Sequence, residues 1–392
     1  MKKVSDLHAG SKLYDCVVVG AGIEGSSTAY HLAKKGQDTL LLEQFPIGHS
    51  RGSSHGHSRI TRYAYQDEHF ARMMPECFKT WAELEKASRT KLYRKEGLLV
   101  IGEPPYKQLG NMQRALDSIG HTYTTLTAPE IRQRYPMLGV GDDTKGIIEH
   151  DGGILLADKC LKAVQSQFLQ HGGTIRDCEQ VQQILPGTTV VVVTRNGQYR
   201  CKSVVLTPGP WASKMLRPLG LDPPLKPWRL DMCYWKEKIP GVYDNLPAFI
   251  SYGNDYHNYA LPSLEYPGLI KLADHTDHGF CDPDQRDAPS ADRQRHLDKL
   301  CAFVRRYFPG LEDAPVITES CMYTFTPDET FFLDTHPRYP NIVIGCGFSG
   351  HGFKLAPVVG KVLSELATQT KPSYDLSPFR LSRFPNGPQA RL

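Results

Sequence analysis

The chain has 392 residues, 40% hydrophobic and 22% charged, the proportions of an ordinary globular protein with length for two or three cores. Its 46 basic and 42 acidic residues leave a formal charge of +4, spread evenly, which argues against nucleic acid or a membrane surface as a partner. No run approaches a membrane span, the opening MKKVSDLHAGSKL lacks the apolar stretch of a secretory signal, and ten scattered cysteines show no metal-ligand spacing. Those cysteines read as buried apolar groups of a reducing compartment.

Tyr14 to Gln44 reads as strand, glycine turn, helix and strand. An apolar run from Cys16 to Val19 breaks at Gly20-Ala21-Gly22-Ile23-Glu24-Gly25, and a helix then runs to about Gly36. In this G-x-G-x-x-G unit Gly20 permits the tight turn, Gly22 lets backbone approach a pyrophosphate, and Gly25 lets helix and strand pack closely. The free N–H groups of the helix then face the phosphates. A second strand, Thr39 to Leu42, ends at Glu43, where a carboxylate accepts from a ribose hydroxyl and repels a ribose phosphate, disfavouring NADP. FAD and NAD both use such a unit.

Phe45 to Gly56 is turn-rich and leads into a basic patch of His55, His57, Arg59 and Arg62. Two readings stand: these groups face a flavin or a substrate carboxylate, or they form an exposed loop paired with Asp67 and Glu68. Helices are expected over 69–89 and 158–169, a buried strand over 97–102, and three β segments between Thr174 and Leu206 before the turn Thr207-Pro208-Gly209. From Pro218 to Pro315 prolines, tyrosines and short strands dominate, indicating a second, β-rich domain inserted into the first. Within it Lys271, flanked by Ile270 and Leu272, is either half-buried or on an exposed sheet face; Tyr259 and His275 lie close in sequence.

The strand Asn341 to Ile344 runs into Gly345-Cys346-Gly347-Phe348-Ser349-Gly350 and a helix over 353–366. No acid-terminated strand follows, so this is not a second dinucleotide unit. Lys354 falls in the helix's first turn, the wrong end for a cation, and such violations concentrate at functional positions. With one nucleotide unit, a bound FAD taking electrons from a small substrate and passing them to oxygen or a protein acceptor is favoured over an NAD(P)H-dependent reductase. The final Ala390-Arg391-Leu392 has the small–basic–Leu pattern of a peroxisomal address.

Taken in order, the nucleotide unit, Ser50 to Gly56, Ser58-Arg59-Ile60, Glu319 to Thr324, Thr326 to Glu329 and Gly347 to Lys361 resemble the flavin-dependent sarcosine oxidase group of amine oxidases, especially its animal peroxisomal branch. The resemblance implies an α/β fold: a discontinuous Rossmann-like FAD domain of the glutathione-reductase type (1–90, 145–217 and 320–392) with an inserted mixed-sheet substrate domain (91–144 and 218–319). It implies FAD contacts from Gly20, Gly22, Gly25, Glu43, His55, Arg59, Gly347 and Gly350, and a covalent thioether from Cys321 aided by electron withdrawal from His55 and Arg59. Lys271 matches the family's lysine at the oxygen-reacting edge of the flavin. Arg62 and Lys354 match the pair that holds the substrate carboxylate, and Tyr259, His275 and Tyr323 match the pocket lining. The expected activity is oxidation of sarcosine, L-pipecolate or L-proline by a peroxisomal monomer that consumes oxygen, releases hydrogen peroxide and is imported through Ala390-Arg391-Leu392. Two alternatives stay open: a related dehydrogenase using a protein acceptor, and a non-catalytic FAD-binding protein.

Overall fold

The strand β1 (Leu13–Val19), helix α1 (Ile23–Lys34) and strand β2 (Thr39–Leu42) form the expected βαβ unit in the computed structural model, which describes residues 12–276, 279–289 and 292–384. Ala390-Arg391-Leu392 lies outside the described residues. β1 is buried along most of its length and pairs in parallel with β2 on one side and the strand Gln198–Leu206 on the other. Thr174–Arg176 extends this sheet beyond β2, and Ile342–Cys346 extends it beyond Gln198–Leu206, again in parallel. Burial on both faces explains the continuous apolar runs Val17-Val18-Val19 and Val204-Val205-Leu206.

The helix Gly352–Ala367 lies against α1, and their approach is close because Gly360 meets Ser27, where an added Cβ would lie 2.4 Å from Oγ. The glycines of the first turn act similarly. At Gly20 (φ +97°) a Cβ would sit 2.4 Å from the Thr207 carbonyl oxygen, and at Gly25 only 1.9 Å from the Gly20 carbonyl oxygen. The strand ends Val19 and Leu206 are thereby pressed together beneath one glycine turn.

A second sheet of eight strands runs in the order Ile317–Phe325, Lys226–Lys236, Leu269–Asp274, His257–Pro262, Ala248–Tyr252, Leu98–Gly102, Lys145–Glu149 and Thr124–Thr127. It is antiparallel except between Ala248–Tyr252 and Leu98–Gly102, so it is mixed, as expected. Two expected boundaries move. Lys145–Glu149, assigned from sequence to the nucleotide part, pairs with Leu98–Gly102 in the second sheet, and the 320 boundary falls inside Ile317–Phe325, which pairs along its length with Lys226–Lys236. Neither partner is near in sequence, so no local signal marked these strands. One face of the sheet carries the helix Arg293–Tyr307 over a core including Trp235, Phe249 and Leu272. The short strand β3 (Ser58–Thr61) and its partners Gly153–Leu156 and Tyr93–Lys95 form a third, three-stranded sheet.

The Gly25 contact is testable. Gly25→Ala forces backbone apart at the turn and is expected to cost about 1–3 kcal/mol. A fall in the urea midpoint together with loss of bound flavin is the predicted result; an unchanged midpoint contradicts the packing described.

Candidate active site

The cavity at the glycine turn measures about 560 Å³ and is bounded by the end of β1, the start of α1, the tip of β2, residues 47–57, Thr207 to Trp211 and Gly347 to Gly350. Glu43 closes β2 and is held firmly: Oε2 accepts from the Ala21 N–H at 2.9 Å and Oε1 from the Phe45 N–H at 3.1 Å. Ser54 Oγ accepts from the Ile23 N–H at 3.0 Å, so the 50s loop is tied to the start of α1. Glu24 was not anticipated. It is 7% exposed, neither carboxyl oxygen has a partner among the described residues, and its Oε1 lies against Gly352. Burial raises its pKa well above the carboxylate range, leaving a neutral acid able to donate a hydrogen bond into the cavity.

These residues fit FAD. The α1 N-terminus suits its diphosphate, Glu43 suits a ribose hydroxyl, and Glu24 supplies a donor that no group among the described residues satisfies.

A smaller chamber of about 140 Å³ adjoins this cavity; His55, Arg59, Tyr323, Gly350 and Phe353 border both. One face of the second sheet builds it. In the antiparallel register Lys271 stands opposite Tyr234 and Leu261, Tyr259 opposite Ala273, Glu319 opposite Met232, and Cys321 opposite Leu230. Because side chains alternate, Glu319, Cys321 and Tyr323 share that face. The Tyr259 hydroxyl lies 3.4 Å from that of Tyr323 and 3.0 Å from Met232 Sδ. Gly350 (φ +76°) leaves room for two rings, since a Cβ there would be 2.4 Å from His275 and 2.6 Å from Tyr323.

Four cations face this space. Arg59 on β3 donates to the carbonyls of Ser58, Ser53 and His55 at 2.7, 2.9 and 2.5 Å, and its guanidinium lies 5.5 Å from the Phe353 ring. Arg62 and Lys354 flank one ring, at 5.1 and 5.9 Å from the centre of Tyr65, and neither forms an ion pair among the described residues. Lys354 is 7% exposed; burial, then repulsion by Arg62 and Arg59, drives its pKa well below the usual lysine value. Lys271 differs, pairing with Glu265 at 2.7 Å.

Three histidines here, His55, His257 and His351, are neutral at physiological pH. Burial, with the charges of Arg59 and Arg286, brings His55 down to about 4 despite its bond to the Gly52 carbonyl. Of the two groups expected to withdraw electrons at the junction, His55 and Arg59, the positive charge resides on Arg59. His257 and His351 are pushed well below their usual value, first by burial and then by neighbouring cations.

The structure brings Arg62, Tyr259, Lys271, His275, Cys321, Tyr323 and Lys354 together around the chamber, with His55, Arg59 and Gly350 at its junction with the long cavity. Gly20, Gly22, Glu43 and Gly347 line the long cavity; Gly25 lines neither space and acts through backbone packing alone. The exposed-loop reading of the basic patch fails: Glu68 pairs with Arg72, while Arg59 and Arg62 turn inward. Sequence reasoning missed Glu24, Tyr65, His257, Glu265 and His351. A charged residue inside the glycine motif was the one visible signal, for Glu24.

The fold and its paired cavities define an oxidoreductase that binds a flavin dinucleotide. Residues 15–366 match the family described as FAD dependent oxidoreductase (DAO). The chain is 48% identical to peroxisomal sarcosine oxidase of Homo sapiens over 98% of this chain and 100% of that one, and 34% identical to monomeric sarcosine oxidase of a Bacillus species over 94% and 96%. Among solved structures, the open form of NikD, an unusual amino acid oxidase essential for nikkomycin biosynthesis, superposes with a TM-score of 0.82 at 25% identity, covering 97% of this chain and 99% of that one. The chain therefore belongs to the FAD-dependent oxidoreductase family and, within it, to the sarcosine oxidase group of flavoprotein oxidases.

The uncompensated pair predicts a proton linkage. Lys354 has a depressed pKa in the free protein, so a carboxylate that binds beside it restores the ammonium and takes up a proton. Affinity for a small carboxylate without an amine is expected to fall as pH rises, and the heat of binding is expected to vary with the buffer's ionisation enthalpy. A buffer-independent heat and a flat pH profile contradict the assignment.

Proposed function

We propose that the protein is an FAD-dependent oxidase of small secondary amino acids, sarcosine and L-pipecolate foremost and L-proline third, passing electrons to oxygen and releasing hydrogen peroxide. The observation that carries this is the pair Arg62, half-buried, and Lys354, buried, which form no ion pair among the described residues and face a chamber of about 140 Å³ opening onto the FAD-fitting cavity. The names of the relatives support the substrate class.

Bound FAD supplies a two-electron acceptor that oxygen can regenerate. Arg62 and Lys354 hold the substrate carboxylate, and Tyr259, Tyr323 and His275 limit the space left for the amine and its N-substituent. Such anchoring turns a collision into a fixed approach, and a misplacement of about 1 Å costs on the order of a hundredfold. The amine must lose its proton before its C–H bond is oxidised, since a protonated nitrogen has no lone pair to stabilise an iminium. Cys321, buried on the same sheet face, would hold the flavin through a thioether, the two electrons released on bond formation passing through the flavin to oxygen, and Arg59 would favour the link by its positive charge. Lys271 supplies fixed positive charge where oxygen is reduced, and in a water-poor site that charge acts much more strongly than in water. A monomeric state follows the name of the bacterial relative, and a peroxisomal location the animal relatives together with Ala390-Arg391-Leu392.

Anaerobic mixing with sarcosine, and separately with L-pipecolate, is expected to bleach the flavin, the faster reaction marking the preferred substrate. Bleaching by dithionite but by neither amino acid would sink the substrate assignment. After acid precipitation the colour should stay with the wild-type pellet and pass to the supernatant in Cys321→Ala; colour in both supernatants contradicts the covalent link.

A further inference from the structure

The chamber holds two buried lysines in opposite circumstances. Lys354 has no carboxylate partner among the described residues, whereas Lys271 Nζ lies 2.7 Å from Glu265 Oε1 and 3.2 Å from Ser58 Oγ, with the two charged side chains only 4% and 7% exposed. The same Oε1 accepts from the His57 N–H and from Ser58 Oγ, both at 3.1 Å. Glu265 is thus anchored by the turn before β3 and by β3 itself, and it pins the end of Lys271 against that sheet.

The other groups facing Lys271 do not replace this partner. Arg59 on β3 repels it, and the Tyr234 ring, 5.6 Å away, offers only a weak cation–π attraction. Cys321 adds a small attraction. Both oxygens of Glu319 are taken, accepting from the hydroxyls of Tyr234 and Tyr266 at 3.0 and 2.6 Å. The Tyr259 hydroxyl is engaged with Met232 and Tyr323, and His55 is neutral.

We propose that Glu265 is a positioning residue that keeps Lys271 an ammonium, fixes it toward the chamber and closes it to the substrate carboxylate. This rests on the reading of Lys271 as the oxygen-side cation. Of the four cations at the chamber, Arg59 is engaged by three backbone carbonyls, and the other three offer an amino acid more than one place for its carboxylate. A permanent anion on Lys271 removes that ambiguity and leaves Arg62 and Lys354 as the attractive end. Burial and Arg59 both push Lys271 toward the neutral amine, and the attraction of Glu265 opposes them. Glu265 itself stays ionised: burial would raise it, but the Lys271 charge and its hydrogen bonds hold it down to about 2. The 2.7 Å contact therefore sets an ionised carboxylate against Lys271 and opposes the loss of its proton.

The test separates the two halves of turnover in stopped flow. In Glu265→Gln, reoxidation of the reduced enzyme by oxygen is expected to slow by about tenfold or more between about pH 7 and 9 as Lys271 loses its proton, while wild type and Glu265→Asp stay flat. Substrate-driven reduction should keep its wild-type pH profile. A readout free of turnover accompanies it: Glu265→Gln should lower the urea midpoint when Lys271 is present and leave it unchanged in a Lys271→Met background. A flat reoxidation profile in Glu265→Gln with additive midpoints overturns the proposal. Wild-type reoxidation in Lys271→Met overturns it from beneath, by removing the oxygen-side role of Lys271 itself.

Discussion

Two basic side chains on either side of one tyrosine ring, Lys354 buried and Arg62 half-buried, neither with an ion-pair partner among the described residues, are the constraint on which this structure turns. Taking an ammonium out of water costs several kcal/mol even after relaxation, and a second cation adds repulsion. Tyr65 recovers a little of this through its ring face, and the neutral histidines nearby add no further charge. The remaining cost is met by the apolar packing of the Gly352–Ala367 helix, whose first turn places Lys354 where no stability argument would. Such an arrangement makes sense as a receptor: its electrostatic debt is discharged when an anion of the right size arrives.

The two sheets divide the labour. The parallel sheet, pinned at Gly20, Gly25 and Thr207, presents a helix N-terminus and the acids Glu43 and Glu24 to a dinucleotide. The mixed sheet turns one apolar face to the Arg293–Tyr307 helix and the other, carrying Lys271, Tyr259, Cys321 and Tyr323, to the chamber. Strand register does the positioning. A one-residue slip would move Lys271 to the packed face and bring Leu272 to the chamber, so the oxygen-side cation and the alternation of apolar residues specify each other. Bridging groups come from β3 and the turn before it, where Arg59 closes the junction between the cavities.

How much of this was legible in the sequence depended on how local each contact is. The β1–α1–β2 unit and Glu43 were readable because the glycine spacing and the acid both act within 30 residues. Lys354 was readable as a violation, a cation at the positive end of a helix. Lys271, Tyr259 and Cys321 were identifiable through family motifs alone, because the pairings that gather them join strands far apart in the chain. The same non-locality hid the sheet membership of Lys145–Glu149. Glu265 gave no sign, since its meaning lies in a 2.7 Å contact across a turn. Glu24 broke an apolar pattern, yet only burial without a partner distinguishes it from a solvated acid.

The central claim is that a carboxylate, held by Arg62 and Lys354, orients the substrate. The most direct measurement is kcat/KM for sarcosine against its neutral primary amide, which preserves the secondary amine and the size but removes the charge. A site whose two basic groups are left unpaired should reject the amide by on the order of 10⁴-fold, with most of that discrimination lost in Lys354→Met. Comparable turnover of acid and amide by the wild-type protein would contradict the account.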